Sequence, residues 1–311
     1  MALANLVNPT LLLSKIRIHN ANALSSPFTI GFPAMTAWLG AVHALQRKLN
    51  QVPQLKHLRL NRTAIVSHTF DLQTHKAYGD FVHSIIGTTN PLDKDGSRPA
   101  FIEEARCHLT VSLVIEYSGI GPAVAEDFLL AHTEHILNSQ LKMASGDILA
   151  VGSLSLEANE ATLKRKLMPG YVLLERRDLM QQAMDNGQDA IDALLDYLVI
   201  HHQCQQVDDK VQWHSARKTL NNAGDKGWII PIATGFHGIS ACGYAKNQRH
   251  PDPDIPHRFA ESVLTLGQFT LIYKTAINNI FWHYHYYPEK ALYLCEQDHG
   301  DTAEQETIFD F

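Results

Sequence analysis

The chain has 311 residues, of which 45% are apolar and 19% charged, and its formal net charge is −6. This composition excludes a disordered chain and is typical of a globular protein with one large core or two modest ones. No apolar run approaches the length that a membrane-spanning helix needs, and the first residues do not resemble a signal peptide. The four cysteines are widely spaced and form no CxxC pair. We therefore expect reduced thiols in a cytoplasmic protein, not a disulfide framework or a zinc site.

Positive and negative charges are segregated along the chain. Residues 1–70 contain no Asp or Glu, but they contain seven basic residues: Lys15, Arg17, Arg47, Lys48, Lys56, Arg59 and Arg62. Because the whole chain is formally −6 and this segment contributes +7, residues 71–311 carry −13. Residues 296–311 contain six acids and no Lys or Arg. Such segregation predicts an anionic partner for the N-terminal part, and nucleic acid is the first hypothesis.

Residues 11–50 predict a strand, a polar loop and an amphipathic helix. Strict alternation places two sets on opposite strand faces, Leu12, Ser14, Ile16 and Ile18 on one and Leu13, Lys15, Arg17 and His19 on the other. Pro33 fits the first helical position. The helix has an apolar stripe of Met35, Trp38, Leu39, Val42, Leu45 and Leu49, opposite Thr36, Gly40, His43 and Arg47. The loop residues Asn20, Asn22, Ser25 and Ser26 offer polar groups to phosphate oxygens, although an ordinary solvated loop is the alternative.

The next elements complete a recognisable order. A strand is predicted within residues 62–75, a turn-rich excursion over 76–104, and an alternating strand over 107–117. A helix follows from about 121 to 141, and then a strand over 147–156. The order βαββαβ is the ferredoxin-like order that RNA-recognition-motif domains share. The aromatic stacking motifs of an ordinary RNA recognition motif are absent, and the fold does not by itself predict RNA binding.

The second half is less regular. A basic cluster of Lys164, Arg165 and Lys166 precedes a strand over 171–176 and a helix over 178–201. Residues 227–240 are strand-like, 247–257 form a Pro/Asp loop, and 258–272 and 280–294 hold the last ordered elements. We therefore expect an α+β protein. It has a ferredoxin-like core over 1–157, a thumb-like hairpin within 76–104, an irregular α/β portion over 158–295 packed on that core, and an acidic tail over 296–311.

Common catalytic motifs are missing from the sequence. There is no Walker loop, Rossmann fingerprint, GxSxG elbow or HExxH motif. The eighteen histidines include three close pairs, none with a third ligand at diagnostic spacing: His132 with His135, His201 with His202, and His283 with His285. We expect no metal, no cofactor and no catalytic residue. A histidine-based ribonuclease stays open, because His can act as a general acid or base near neutral pH.

Five stretches in a fixed order resemble one protein family. They are IHNANALSSPFTIGFPAMTAWLGAVHALQRKL, NPLDKDGSRPAFIEEARCHLTVSLVIEY, LKRKLMPGYVLLERRD, GWIIPIATGFHGIS and FAESVLTLGQF. Together they span roughly residues 11 to 270, and the acidic tail lies outside them. The chain resembles the subunit of the type I-F CRISPR Csy complex that sits with the large subunit at the 5′ end of the crRNA.

This resemblance implies a RAMP protein with a non-catalytic role in antiviral defence. Such a subunit grips the crRNA 5′ handle, joins the large subunit, abuts the first backbone subunit, and contacts target DNA indirectly or near the PAM. Guide–target pairing reads the sequence in RNA-guided systems, so the subunit would hold and orient. No membrane association is implied.

The resemblance and the charge pattern together select candidate RNA-binding residues. They are Lys15, Arg17, Asn20, Asn22, Ser25, Ser26, Arg47, Lys164, Arg165 and Lys166, with Lys246, Arg249 and Arg258 flanking the late loop. For each basic residue the alternative is a solvated or ion-paired surface charge.

Two other functions remain open. One is a metal-independent endoribonuclease that processes repeat RNA. The other is a purely structural adaptor that binds the large subunit.

Overall fold

The structure is a computed structural model that describes residues 5–86, 92–97, 104–121, 124–207, 210–218, 228–243 and 256–298. The helices are α1 (Met35–Leu49), α2 (Glu126–Ser139), α3 (Glu160–Leu167), α4 (Arg177–Asp185) and α5 (Ala190–Leu198). The strands of the first half are β1 (Asn5–Asn22), β2 (Leu24–Ser26), β3 (Thr29–Ile30), β4 (Arg59–Leu72), β5 (Thr74–His75), β6 (Ser84–Ile85), β7 (Arg106–Ser118), β8 (Lys142–Met143), β9 (Gly146–Ala150) and β10 (Ser153–Asn159). The second half adds β11 (Tyr171–Glu175), β12 (Ile200–Val207), β13 (Lys210–Arg217), β14 (Trp228–Gly238), β15 (Ala260–Leu271), β16 (Trp282–Tyr287) and β17 (Leu292–Gln297).

The N-terminal half is organised around β1 and β7. Strand β1 pairs with β7 on one edge and with both β9 and β10 on the other, and β7 pairs with β4 on its far edge. All these pairings are antiparallel. Helices α1 and α2 bury their apolar residues against the same side of these strands, in one continuous core. The predicted α+β class is confirmed.

Helix α1 buries the predicted apolar stripe, but it begins later than expected. The six stripe residues from Met35 to Leu49 are buried, and Gly40, His43 and Arg47 face solvent. Pro33 is not the first helical residue, because the helix starts at Met35. The Pro33 carbonyl instead accepts a hydrogen bond from the Trp38 indole N–H at 3.3 Å.

A β-bulge in β1 overturns the predicted strict alternation. Leu13 pairs with Leu113 and Ile16 with Val111, so two residues of β1 oppose one residue of β7. The extra residue is accommodated at Lys15, whose φ of +48° is in the left-handed region. Leu13 therefore lies with Ile16 in the helix-covered core, and Leu12 lies in the cluster on the other side of the sheet.

Two predicted elements are subdivided in the structure. The strand expected over 147–156 is β9 and β10, separated at residues 151–152. The helix expected over 178–201 is α4 and α5 followed by the first strand of the β12–β13 hairpin. Gly187, at φ +90°, follows the end of α4. The Asp189 carboxylate caps α5 by accepting from the Asp192 backbone N–H at 2.8 Å. Turn and cap residues thus interrupt a periodic apolar pattern.

The C-terminal half continues the same sheet. The free edge of β4 pairs with β11 near Val66 and with β16 at Thr63. The order β11–β15–β14–β17–β16 then leads back to β4. Inside this circuit the Trp282 indole N–H donates to the Leu173 carbonyl at 3.0 Å. The predicted second portion is therefore joined to the first by backbone pairing as well as by packing.

Two predicted segments are only partly described. In the 76–104 excursion, β5 and β6 pair over two residues, and residues 87–91 and 98–103 lie outside the described parts of the chain. The tail expected from residue 296 overlaps β17, which ends at Gln297, and residues 299–311 are not described. Among the described residues no helix is long and apolar enough to cross a membrane.

Candidate nucleic-acid interface

The side of the sheet opposite α1 and α2 is covered over part of its area. Leu163 and Leu167 of α3, together with Ile272 and Phe281, pack on that side over one end of β1, β4 and β7. No described element covers the remaining part of β1, β4 and β7 on that side. Polar side chains of these three strands face solvent there.

Strand register arranges these polar side chains in two rows. Arg17 pairs with Thr110, and Thr110 pairs with Thr69 on the next strand. In the second row His108 pairs with Asp71. The His19 ring stacks on the His108 ring, with centroids 3.8 Å apart and planes inclined by 19°.

These rows enclose a shallow cleft of about 310 Å³. Its lining residues are Arg17, Ile18, His19, Thr69, Asp71, His108, Leu109, Thr110 and Leu149. We call it the open-face cleft. Arg17 contributes a positive charge to one row and Asp71 a negative charge to the other, so the cleft can bind an anionic group and a hydrogen-bond donor at separate points.

Lys15 lies beside the cleft in a hydrogen-bonded chain. Its backbone N–H donates to the Ser112 hydroxyl at 2.9 Å, and that hydroxyl is 2.7 Å from His68 Nε2. His68 Nδ1 lies 2.6 Å from the Pro169 carbonyl oxygen and must donate, because a carbonyl only accepts. Burial lowers the pKa of His68; the Pro169 carbonyl opposes this, and the nearby Lys15 charge lowers the pKa further. His68 is therefore neutral near pH 7 and anchors the bulge.

Lys15 and Arg17 are exposed cations beside this cleft. Neither forms an ion pair with another described residue, whereas Arg62 of the same basic segment is bound by Glu116 and Asp298. An exposed cation without a carboxylate partner is available to an external anion at little desolvation cost. Lys15 and Arg17 thus present positive charges to solvent that no described carboxylate neutralises, whereas the charge of Arg62 is neutralised.

The four residues predicted to lie in a polar loop lie in strands instead, Asn20 and Asn22 at the end of β1 and Ser25 and Ser26 in β2, and most of their polar groups bond internally. Asn22 Oδ1 accepts from the Leu24 N–H, and its Nδ2 donates to the Leu24 carbonyl, each at 3.1 Å. The Ser25 and Ser26 hydroxyls both contact the Thr29 hydroxyl, and Ser26 is buried. Asn20 is exposed at φ +55°, and its backbone N–H donates to His108 Nδ1 at 3.1 Å. Of these four residues, Asn20 is therefore the one connected to the cleft, through its hydrogen bond to His108.

The basic cluster of α3 is partly neutralised within the helix and its neighbour. Lys164 pairs with Glu160 at 2.8 Å, and Lys166 pairs with Glu157 of β10. Arg165 is exposed. The end of α3 leads through Pro169 to His68, so this helix terminates close to Lys15. The cluster lies at the border of the open face and contributes Arg165 as its unneutralised charge among the described residues.

The other predicted residues lie elsewhere. Arg47 belongs to α1, on the opposite side of the sheet from Arg17. Arg258 packs beside Gly238, and its Nε is buried without a hydrogen-bond partner among the described residues. Lys246 and Arg249 lie outside the described residues. The structure therefore brings together Lys15, Arg17 and Asn20, but not Arg47 or Arg258.

Sequence reasoning missed His19, His108, Asp71 and the two threonines as one group. A signal was present in the alternation over 107–117, where His108, Thr110 and Ser112 fall on the face opposite the apolar residues. The pairing of that face with Asp71 and Arg17 depends on register and could not be read locally. No group of three or more His, Cys, Asp or Glu side chains in the described part of the chain could hold a metal ion.

Comparisons with known proteins agree on one family. The family model described as CRISPR-associated protein (Cas_Csy2) matches residues 11–295, from β1 to β17. The chain is also 30% identical over 310 residues to CRISPR-associated protein Csy2 of Pseudomonas aeruginosa (strain UCBPP-PA14), covering 91% of this chain and 93% of that relative. The chain therefore belongs to the CRISPR-associated protein Csy2 family of type I-F CRISPR systems.

Proposed function

We propose that this protein is a non-catalytic, cytoplasmic subunit of a type I-F CRISPR surveillance complex that binds the crRNA 5′ handle. It would do so beside the large subunit and next to the first backbone subunit, and it would support target DNA recognition without reading the DNA sequence. Family membership supports the place in the complex. The strand order β4–β7–β1–β9/β10, with two helices on one side, supports a ferredoxin-like RAMP core. The thumb-like hairpin is proposed for residues 76–104.

One observation carries the RNA-binding part of this proposal. Lys15 and Arg17 are exposed and unneutralised by described residues, and they lie beside a cleft on the open face of an antiparallel sheet. Such a face displays side chains from adjacent strands to a single strand of RNA, whose bases are accessible for stacking and hydrogen bonding. Phosphate contacts from these two cations would position the handle, and Arg165 would extend the path along α3.

A second function has one specific observation in its favour. His19 and His108 lie next to Arg17, and two imidazoles beside a cation could cleave RNA without a metal. However, His108 Nδ1 already accepts the Asn20 backbone N–H, so one of its two nitrogens is occupied. We therefore favour RNA binding without cleavage over a ribonuclease activity, and the experiment described next distinguishes the two functions.

The test is binding of labelled 5′-handle RNA to the full-length protein purified with its large subunit, across a salt series. Arg17→Glu should weaken binding at least tenfold at low salt and reduce the salt slope by about 1 to 2, because the reversal removes a phosphate contact and adds repulsion. Lys15→Asn removes the second charge, and Asn tolerates the positive φ at that position. Lys56→Glu, at another exposed site, is the matched control and should weaken binding much less.

The RNA is examined on a denaturing gel after each binding reaction. Intact RNA is expected. Cleavage of the RNA by the wild-type protein, together with loss of that cleavage in His19→Ala or His108→Ala, would establish the ribonuclease instead. Intact RNA without measurable binding would leave the adaptor function and contradict the assignment of Lys15 and Arg17.

A further inference from the structure

We propose that the open-face cleft is a single-nucleotide subsite, which takes one unstacked RNA base that carries an exocyclic amino group. This inference rests on the proposed RNA-binding function and adds a base preference to it. The subsite consists of Arg17, His19, Asp71 and His108, and the rest of the lining is Ile18, Thr69, Leu109, Thr110 and Leu149.

The dimensions of the cleft fit one nucleotide better than a longer segment. Its volume of about 310 Å³ is at the lower end of small-ligand pockets. The base would have to leave the stack of its neighbours to enter, as bases in single-stranded RNA readily do when a protein offers a replacement surface.

The stacked imidazoles of His19 and His108 offer that surface. Bases stack on His rings as well as on Phe, Tyr and Trp. His108 is held in place from two directions, because its ring stacks on His19 and its Nδ1 accepts the Asn20 backbone N–H. A neutral His108 with an occupied Nδ1 carries its hydrogen on Nε2, which leaves a donor available. The stacking surface formed by His19 and His108 is thus in position before RNA binds.

Charge sets the orientation of the nucleotide. Arg17 lies in the row of Thr110 and Thr69, and Asp71 lies in the row of His108. The phosphate is attracted to Arg17 and repelled by Asp71, so the base points toward Asp71. Gln73 Nε2 donates to Asp71 Oδ2 at 3.2 Å, and Oδ1 remains to accept from the base.

The carboxylate of Asp71 selects the base. An ionised carboxylate only accepts hydrogen bonds, so it favours amino groups such as cytosine N4. Uracil has no exocyclic amino group, and its one donor on that edge, N3–H, is flanked by two carbonyl oxygens that the carboxylate repels. Cytosine, adenine and guanine can enter, and uracil is disfavoured.

The experiment scans the 5′-handle RNA with one abasic position or one uracil at a time, against the full-length protein in its complex. With the wild-type protein, one abasic position should weaken binding about tenfold. In His19→Ala that position should have little further effect, because the stacking surface is already lost. Asp71→Asn should abolish the penalty for uracil at that position. Glu134→Gln, an exposed carboxylate-to-amide change on α2, is the matched control and should leave the wild-type pattern intact.

The outcomes separate this inference from the proposed function. One outcome is that RNA binding depends on Arg17, but that the effect of an abasic or uracil position is the same in the wild-type, His19→Ala and Asp71→Asn proteins at every position. This outcome overturns the subsite and leaves the proposed handle binding intact. Absence of RNA binding overturns both. If a DNA oligonucleotide of the same sequence shows the same dependence of the abasic effect on His19 and Asp71, the assignment to RNA is overturned. Loss of the co-purifying subunits in His19→Ala, with unchanged RNA affinity, would show a protein contact at the cleft. Melting curves of each variant confirm that these exposed or half-buried positions have not unfolded the protein.

Discussion

At the scale of single residues, the hydrogen-bonded chain through Ser112 connects the bulge to the rest of the fold. Lys15 donates through its backbone N–H to Ser112, Ser112 contacts His68, and His68 donates to the Pro169 carbonyl. A positive φ at a non-glycine residue is unfavourable unless its surroundings enforce it. The Ser112 hydroxyl supplies that enforcement. Lys15 is therefore held on the open face by groups that lie outside the open-face cleft.

The lowered pKa of His68 predicts a pH dependence of stability. Because the folded-state pKa is below the unfolded value of about 6.5, the unfolded chain binds the proton more readily. The stabilising contribution of neutral His68 is complete above pH 6.5 and is lost as the pH falls through and below that value. The melting temperature should fall from pH 7.5 to pH 5.5.

His68→Gln should show a shallower decline over the same range, since glutamine does not titrate. Other carboxylates and histidines contribute to the whole-protein profile, so the comparison is between the two slopes. His57→Gln, an exposed histidine, is the control and should follow the wild-type slope. Equal slopes for all three proteins would show that His68 does not titrate on unfolding in this range.

At the scale of elements, the β12–β13 hairpin makes little contribution to the core. Its two strands pair with each other and with no other strand among the described residues. The side chains described in it are exposed, including Trp213 at 67%. A two-stranded ribbon of this kind is marginally stable by itself. It is anchored at its base, where Lys218 pairs with Asp196 and lies 4.4 Å from the ring centroid of Tyr197.

Replacing residues 200–217 by a short Gly/Ser turn should therefore preserve the fold. Ile200 pairs with Arg217, so the two cut ends are already adjacent. We expect the melting temperature to change by less than about 3 °C, which corresponds to roughly 1 kcal/mol for a chain of this size.

Gly235→Ala is the contrasting variant. A Cβ at Gly235 would lie 2.0 Å from the Tyr293 carbonyl oxygen, so one methyl group should destabilise the sheet more than removal of the whole hairpin. A larger loss of stability on deleting the hairpin than in Gly235→Ala would contradict this assignment.

At the scale of the whole molecule, the two halves share β4. One edge of β4 pairs with β7, and the other pairs with β11 and β16. The ends of β11 and β17 are further joined by reciprocal bonds between Glu175 and Gln297, in which each backbone N–H donates to the other side chain at 2.7 and 3.1 Å. The carboxylate of Glu175 is also paired with Arg177. Burial lowers the pKa of Arg177, but Glu175 and Glu296 together raise it above its ordinary value. Because β4 pairs with strands of both halves, we expect the two halves to unfold as one cooperative unit.

Full-length protein should consequently unfold in a single calorimetric transition. A fragment of residues 1–157 should aggregate, because it exposes Leu12, Ala64, Val66 and Val114 and leaves the edge of β4 unpaired. Size-exclusion chromatography and differential scanning calorimetry check both expectations. A monomeric, folded fragment or two resolved transitions in the full-length protein would show that residues 1–157 are an independent domain.

Local pattern was sufficient for several features of this protein. The apolar stripe of α1 and the alternating face of 107–117 follow from helical and strand periodicity, which requires no knowledge of distant residues. Segregation of charge likewise identified the basic N-terminal segment. These features depend on neighbours within a few positions, so the sequence determined them by itself.

Only the tertiary structure decided which of those charges reach a common surface. The bulge at Lys15 depends on pairing between β1 and β7, and the cleft joins Arg17 to His108 and Asp71 across three strands that are distant in sequence. Arg62 is neutralised by an ion pair with Glu116, and Arg47 lies on α1, at the opposite side of the sheet. Strand register and long-range ion pairs are set by the free energy of the assembled sheet and core, and no local window of sequence contains that information.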